Sequence, residues 1–217
     1  MKRKRLLVWA ILYGIIANLQ YEDALIDYNN ITVTQFMTSY LFDMQQFFFV
    51  VTVFFLSFLY LQIQPLTSPM VIVRSGKFYF RKQLIRMFKC CVSFWLFALT
   101  LYFSIAILGG SQLDLELPLI WNSIRLFLGL CVIYLLYFTL LLFTHQQIAS
   151  LIGALILNLI LSSVLLMGAW VTFDTMTGEI LEDFHTPRSE LALNIYPIIG
   201  MVLILILYKK CKRGDFL

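Results

Sequence analysis

The stretch IWNSIRLFLGLCVIYLLYFTLLLF, Ile120 to Phe143, holds 24 residues with Arg125 as its one charge. As a helix it would reach about 36 Å, and a bilayer hydrocarbon core of about 30 Å takes roughly 17 to 25 helical residues. The surrounding composition agrees with a lipid solvent. Of 217 residues, 61% are hydrophobic and 13% charged, 20 are Phe, and the mean hydropathy is +0.86. A water-soluble domain of this size has no interior large enough for that much apolar surface.

Five more stretches approach the same length, over 6–20, 40–63, 88–108, 148–172 and 191–208. An all-α polytopic membrane protein is therefore expected, a single transmembrane domain of six helices. The first stretch is the shortest. Standing behind MKRKR it resembles a signal peptide, but ANLQYED follows where a small-x-small cleavage site would be needed, so a retained span is expected. Cleavage would leave five spans. Between the spans lie a segment over 64–87 on one side and segments over 21–39, 109–119 and 173–190 on the other. The first and last of these outer segments are long enough for short surface helices, and THQQ joins the fourth and fifth spans as a tight helical hairpin.

Charge sets the direction. Lys2, Arg3, Lys4 and Arg5 precede the first span; Arg74, Lys77, Arg81, Lys82, Arg86 and Lys89 lie between the second and third; Lys209, Lys210, Lys212 and Arg213 follow the sixth. Fourteen of the 16 basic residues thus fall on one side, which the positive-inside rule makes cytoplasmic together with both termini. Eleven acidic residues, from Glu22 to Glu190, fall in or beside the other segments, and only Asp215 sits with the basic set. On this topology Arg213-Gly214-Asp215 is cytoplasmic and is no adhesion signal. Asn30-Ile31-Thr32 is outside and matters only in a host that glycosylates. The basic residues are absorbed by membrane orientation, and no nucleic-acid partner is expected.

The stretch VRSGKFYFRKQLIRMFKCC, residues 73–91, belongs to the one substantial cytoplasmic connection. It has six basic residues and no acidic one. On a helix at 100° per residue the basic side chains take about half the circumference and Phe80, Leu84 and Met87 gather on the other half. Pro65 and Pro69 end the preceding span, and Ser75-Gly76 can break or cap a short helix. Such a face suits anionic headgroups and also a docking cleft.

Six spans without a soluble domain, this loop, the tight hairpin and the outer segment before the last span together resemble the membrane subunit of a type-2 ABC exporter, a small bacterial member. The residues matching the loop motif are Ile72, Val73, Arg74, Ser75, Gly76, Lys77, Phe78, Tyr79, Arg81 and Lys82. The resemblance implies a coupling helix here, docked on a separate ATPase subunit that binds ATP-Mg. It further implies a second copy or a homologous membrane subunit, a bacterial cytoplasmic membrane, and a hydrophobic or amphipathic cargo such as a membrane-active peptide or lipid-like molecule. The chain itself has no phosphate-binding loop: Gly76-Lys77 is followed by Phe78, and Val71 stands where the first glycine belongs. No cofactor is expected in this chain and no enzymatic activity.

Two further classes compete with that reading. One is a non-transporting accessory membrane protein. The other is a membrane peptidase with a Cys-His dyad, since Cys90, Cys91 and His145 share the cytoplasmic face; Cys131 lies about 21 Å of helix away from His145 and is excluded. Neither the four cysteines nor the two histidines have metal-ligand spacing. Within the spans, Asp43 and Arg125 are expected either to approach one another at the outer-leaflet level as a gate or latch, or to snorkel separately to the headgroups, an intramembrane charge being costly unless paired or wetted. Asn158, Ser162, Ser163 and Ala149-x-x-x-Gly153 read as close helix packing. The run Phe47, Phe48, Phe49, Phe54, Phe55 and Phe58 is expected to meet lipid.

Overall fold

A computed structural model describes residues 2–27, 31–43, 46–62, 76–114, 117–174 and 187–213. Among these every regular element is a helix. The elements are α1 (Lys2–Asp27), α2 (Val33–Phe36), two π-helical turns (Met37–Leu41 and Phe47–Val51), α3 (Thr52–Gln62), α4 (Gly76–Leu108), α5 (Leu117–Thr144), α6 (Gln147–Asp174) and α7 (Pro187–Arg213). Two apolar stretches, Phe80–Leu108 and Leu119–Thr144, are long enough to cross a membrane, and Phe49–Gln62 and Gln147–Leu161 are shorter apolar helices.

Contacts divide the chain into two compact units: Met1–Gln64 with Arg86–Leu130, and Pro65–Ile85 with Cys131–Leu217. In the first unit the core is aromatic. Trp9, Tyr13, Ala17, Tyr21 and Ala24 form the buried face of α1, while Leu7, Val8, Ile11, Leu12, Ile15 and Leu19 are exposed. The bulky aliphatic residues thus point outward and aromatic and small ones inward, the reverse of a helix packed in water. The Trp9 indole donates to the Phe54 carbonyl at 3.2 Å and to Ser57 Oγ at 3.1 Å. Around it stand Phe58 and Phe97, each with its centroid 5.4 Å away, and Tyr13 stacks on Phe54 at 4.5 Å.

This packing corrects the expectation for the Phe-rich run. Phe55 is fully buried against Phe94, Phe47 is buried in the space left by Gly129, and Phe54 and Phe58 pack on Trp9; of the described rings only Phe49 is largely exposed. Aromatic rings offer edge-to-face contacts to one another that lipid tails cannot return. The side chain of Phe48 lies outside the described residues.

The stretch 40–63 is also built differently from the continuous helix expected there. The helical parts described are Val33–Leu41, which begins in the expected outer segment, and Phe47–Gln62, each containing a π-helical turn. The Asp43 carboxylate caps the second part, accepting from the Gln46 backbone N–H at 3.1 Å. A side chain at the N-cap satisfies a donor that the helix itself leaves open.

At the other end of the first unit the segments after α1 and after α4 meet. Thr32 caps α2, bridges Gln112, and Val33 N–H donates to the Gln112 carbonyl at 3.0 Å. Thr34 Oγ1 donates to the Asp114 carbonyl, and the hydroxyls of Tyr21 and Ser111 are 2.9 Å apart. Helix α4 ends because Gly110 takes φ +87°, so that Gly110 N–H returns to Ile107 and Ser111 N–H to Ala106. This is the Schellman closure, which a side chain at Gly110 would strain.

In the second unit α5 and α6 form the tight hairpin expected at THQQ. His145, at φ +54°, ends α5 while its N–H keeps its bond to Leu141, and Thr144 Oγ1 meets Ser150 Oγ at 2.8 Å. The packing stripe of α6 is Ser150, Ala154 and Asn158, all buried, beside Gly153; Ala149 is exposed. Gly153 admits Leu140, which a Cβ would meet at 3.0 Å. The side chains of Ser162 and Ser163 lie outside the described residues.

Candidate functional site

The segment 64–87, expected as a loop with a short helix, is in its described part the beginning of α4. From Gly76 the helix runs 33 residues to Leu108 without a break. No Pro and no interior Gly interrupts it, and Lys, Arg, Gln, Leu and Met are all good helix formers. Arg74 and Ser75 lie outside the described residues, as do the side chains of Gly76, Lys77, Phe78 and Tyr79, which the structure places on the helix by backbone alone. Arg81 and Lys82 are exposed.

The opposite face of these turns is anchored within the second unit. Phe80 stands edge-on to Tyr208 of α7, with centroids 5.6 Å apart and planes at 70°. Gln83 is buried, and its Oε1 accepts from the Tyr134 hydroxyl of α5 at 3.4 Å. A buried amide oxygen and a buried phenol thus meet, as buried polar groups generally do. Helix α7 buries Tyr196, Gly200, Leu203, Leu207 and Cys211 along one stripe, and near its end Lys210 Nζ lies 3.5 Å above the Phe143 ring. These contacts bring to one end of the unit the start of α4, the α5–α6 turn with His145, and the end of α7 with Lys209, Lys210 and Lys212. Two of the three basic clusters that are separate in the sequence are therefore adjacent.

Sequence reasoning found the basic arc and its apolar complement but missed both anchors. Gln83 follows Phe80 by three residues and precedes Met87 by four, so its helical spacing placed it on the apolar face. That spacing was the available signal; Tyr208 and Tyr134 had none.

A second polar group lies inside the first unit. The Tyr102 hydroxyl donates to Gln20 Oε1 at 2.5 Å, and Gln20 Nε2 donates to Gln46 Oε1 at 2.9 Å, next to the Asp43 cap. Tyr102 is fully buried and Gln20 nearly so. Arg125, about two turns into α5, donates from Nη1 to Asn122 Oδ1 at 2.9 Å. Asp43 and Arg125 belong to the same unit, each held by a neighbour three residues away in sequence. The Gln20–Gln46–Tyr102 group joins three elements and was not foreseen.

Of the dyad residues, Cys91 is fully buried and Cys90 half-buried in the first unit, while His145 is exposed in the second. Among the described residues no group of three His, Cys, Asp or Glu side chains is placed to hold a metal ion. Compared with known proteins, the chain matches no family, no curated protein and no solved structure.

Proposed function

We propose that the chain is the membrane subunit of an ATP-driven exporter in a bacterial cytoplasmic membrane, with six spans, both termini cytoplasmic and a separate ATPase subunit docked at the start of α4. The observation that supports it best is the build of α4. Its first turns are continuous with an apolar stretch long enough to cross a membrane, expose Arg81 and Lys82 on one face, and are clamped on the other by Tyr208 and Tyr134. A push on such a rigid extension is transmitted to the span instead of being absorbed in a loop.

The arrangement of helix ends within each unit suits the six-span topology. Segments expected outside meet at Thr32–Gln112 and Tyr21–Ser111. Ends expected inside meet at Phe80–Tyr208 and Lys210–Phe143. Two membrane subunits, two copies or this chain with a homologue, would enclose the path for a hydrophobic or amphipathic cargo. Co-purification tests the reading: an ATPase retained by the intact chain should be lost from R81E/K82E, and absence of any ATPase partner would sink it.

A further inference from the structure

On α7 the exposed stripe runs Ile198, Val202 and Leu205 and continues, at the same helical spacing, as Lys209 and Lys212. On α4 the exposed stripe passes from Leu96 through Lys89 and Ile85 to Arg81 and Lys82. The outward face of α7 thus changes from apolar to basic at the end where Tyr208 meets Phe80 of α4, next to the exposed Arg81 and Lys82. Exposed apolar surface passing into a belt of Tyr, Phe and Lys/Arg is the profile of the boundary between hydrocarbon and headgroups. Tyr208 and Phe143 are themselves partly exposed at that level, 39% and 57%.

We propose that this end of the second unit is a binding surface for anionic phospholipid headgroups, formed jointly by Arg81 and Lys82 of α4 and Lys209 and Lys212 of α7. The inference rests on the membrane-spanning reading but not on the ATPase. Two features favour a lipid over an acidic protein. Lys209 and Lys212 end a stripe of α7 that is apolar over Ile198, Val202 and Leu205, so that face already requires lipid tails. And the aromatic rings at the level of the charges match the amphipathic depth of headgroups. Two pairs of cations on adjoining helix ends can hold one phosphodiester between them more firmly than either pair alone, since charge-assisted bonds to phosphate add in a shared site.

The test is competition of phosphatidylglycerol against phosphatidylcholine for the purified full chain in mixed micelles, read as lipid retained in native mass spectrometry. Wild type is expected to prefer phosphatidylglycerol, the preference falling with salt and by about fivefold for each charge removed. R81Q/K82Q and K209Q/K212Q should each lower it, and the fourfold variant should abolish it, while K4Q/R5Q, which removes equal charge from α1, should leave most of it. No preference in wild type, an unchanged preference in the fourfold variant, or an equal loss in K4Q/R5Q would each overturn the proposal. Loss confined to one of the two pairs would overturn its composite character. The measurement contains no ATPase, so failure of the exporter reading leaves its outcome intact.

Discussion

The hydroxyl of Tyr102 donates to Oε1 of Gln20, a residue 82 positions away, at 2.5 Å, and the same Gln20 passes its own amide proton to Gln46. One side chain therefore ties α4, α1 and the segment just before Phe47–Gln62 together. Tyr102→Phe should destabilise the purified protein by about 0.5–2 kcal/mol, since it leaves a buried acceptor unmet. Adding Gln20→Leu to Tyr102→Phe should cost less than the two single changes summed. Thermal unfolding in detergent checks both, and strict additivity would show that the bond is not made.

Gly109 and Gly110 are adjacent but should fail for different reasons. A Cβ on Gly109 would fall on the ring of Tyr21, whose hydroxyl is held by Ser111; Gly109→Ala should cost about 1–3 kcal/mol through overpacking. Gly110 has open space but φ +87°, so Gly110→Asn should be tolerated and Gly110→Val should not. Melting temperatures of the three variants separate space from backbone strain.

Asp43 caps Gln46, which predicts that Asp43→Asn retains stability within a few tenths of a kcal/mol and Asp43→Ala loses about 1 kcal/mol. The proposed latch with Arg125 asks more of the carboxylate. If the two charges act as a pair, D43R/R125D should regain what D43R or R125D alone loses in transport-linked ATPase activity, and failure of that rescue would count against the pair.

Burial pushes the Cys211 thiol up to about 11, and its side chain is 1% exposed beside Leu207 on the packed stripe of α7. Because only the thiolate reacts, roughly 1 in 1,000 molecules would be reactive at pH 8 even with access. Iodoacetamide should therefore leave Cys211 unmodified in the native protein and modify it after unfolding, as peptide mass mapping would show. Rapid native alkylation at pH 8 would mean that the end of α7 is not packed as described.

Leu113 and Ile148 are both 63% exposed, and the six-span reading puts them on opposite sides of the membrane. A membrane-impermeant maleimide added to intact cells should label Leu113→Cys above the wild-type background and should label Ile148→Cys only after permeabilisation. Labelling of both from outside would rule out the proposed topology.

The helical class and the two long apolar helices, Phe80–Leu108 and Leu119–Thr144, were legible in the sequence, because they depend on composition and on periods within one segment. The beginning of α4 was legible in part: the basic arc and the opposite apolar face followed from helical spacing, but not the absence of a break between that arc and the span. Burial was not legible. Where the positions facing outward and the positions facing the core are both apolar, as on α1, hydrophobicity no longer tells them apart. On α1 it is Leu7, Ile11 and Ile15 that face out and Trp9, Tyr13 and Ala17 that face in, and the Phe-rich run turned inward for the same reason. The tertiary structure alone decided the contacts that join distant segments: Phe80 with Tyr208, Gln83 with Tyr134, and Gln20 with both Gln46 and Tyr102. Each satisfies a ring or a polar group whose partner lies on another helix, and no pattern along a single helix records where that partner is.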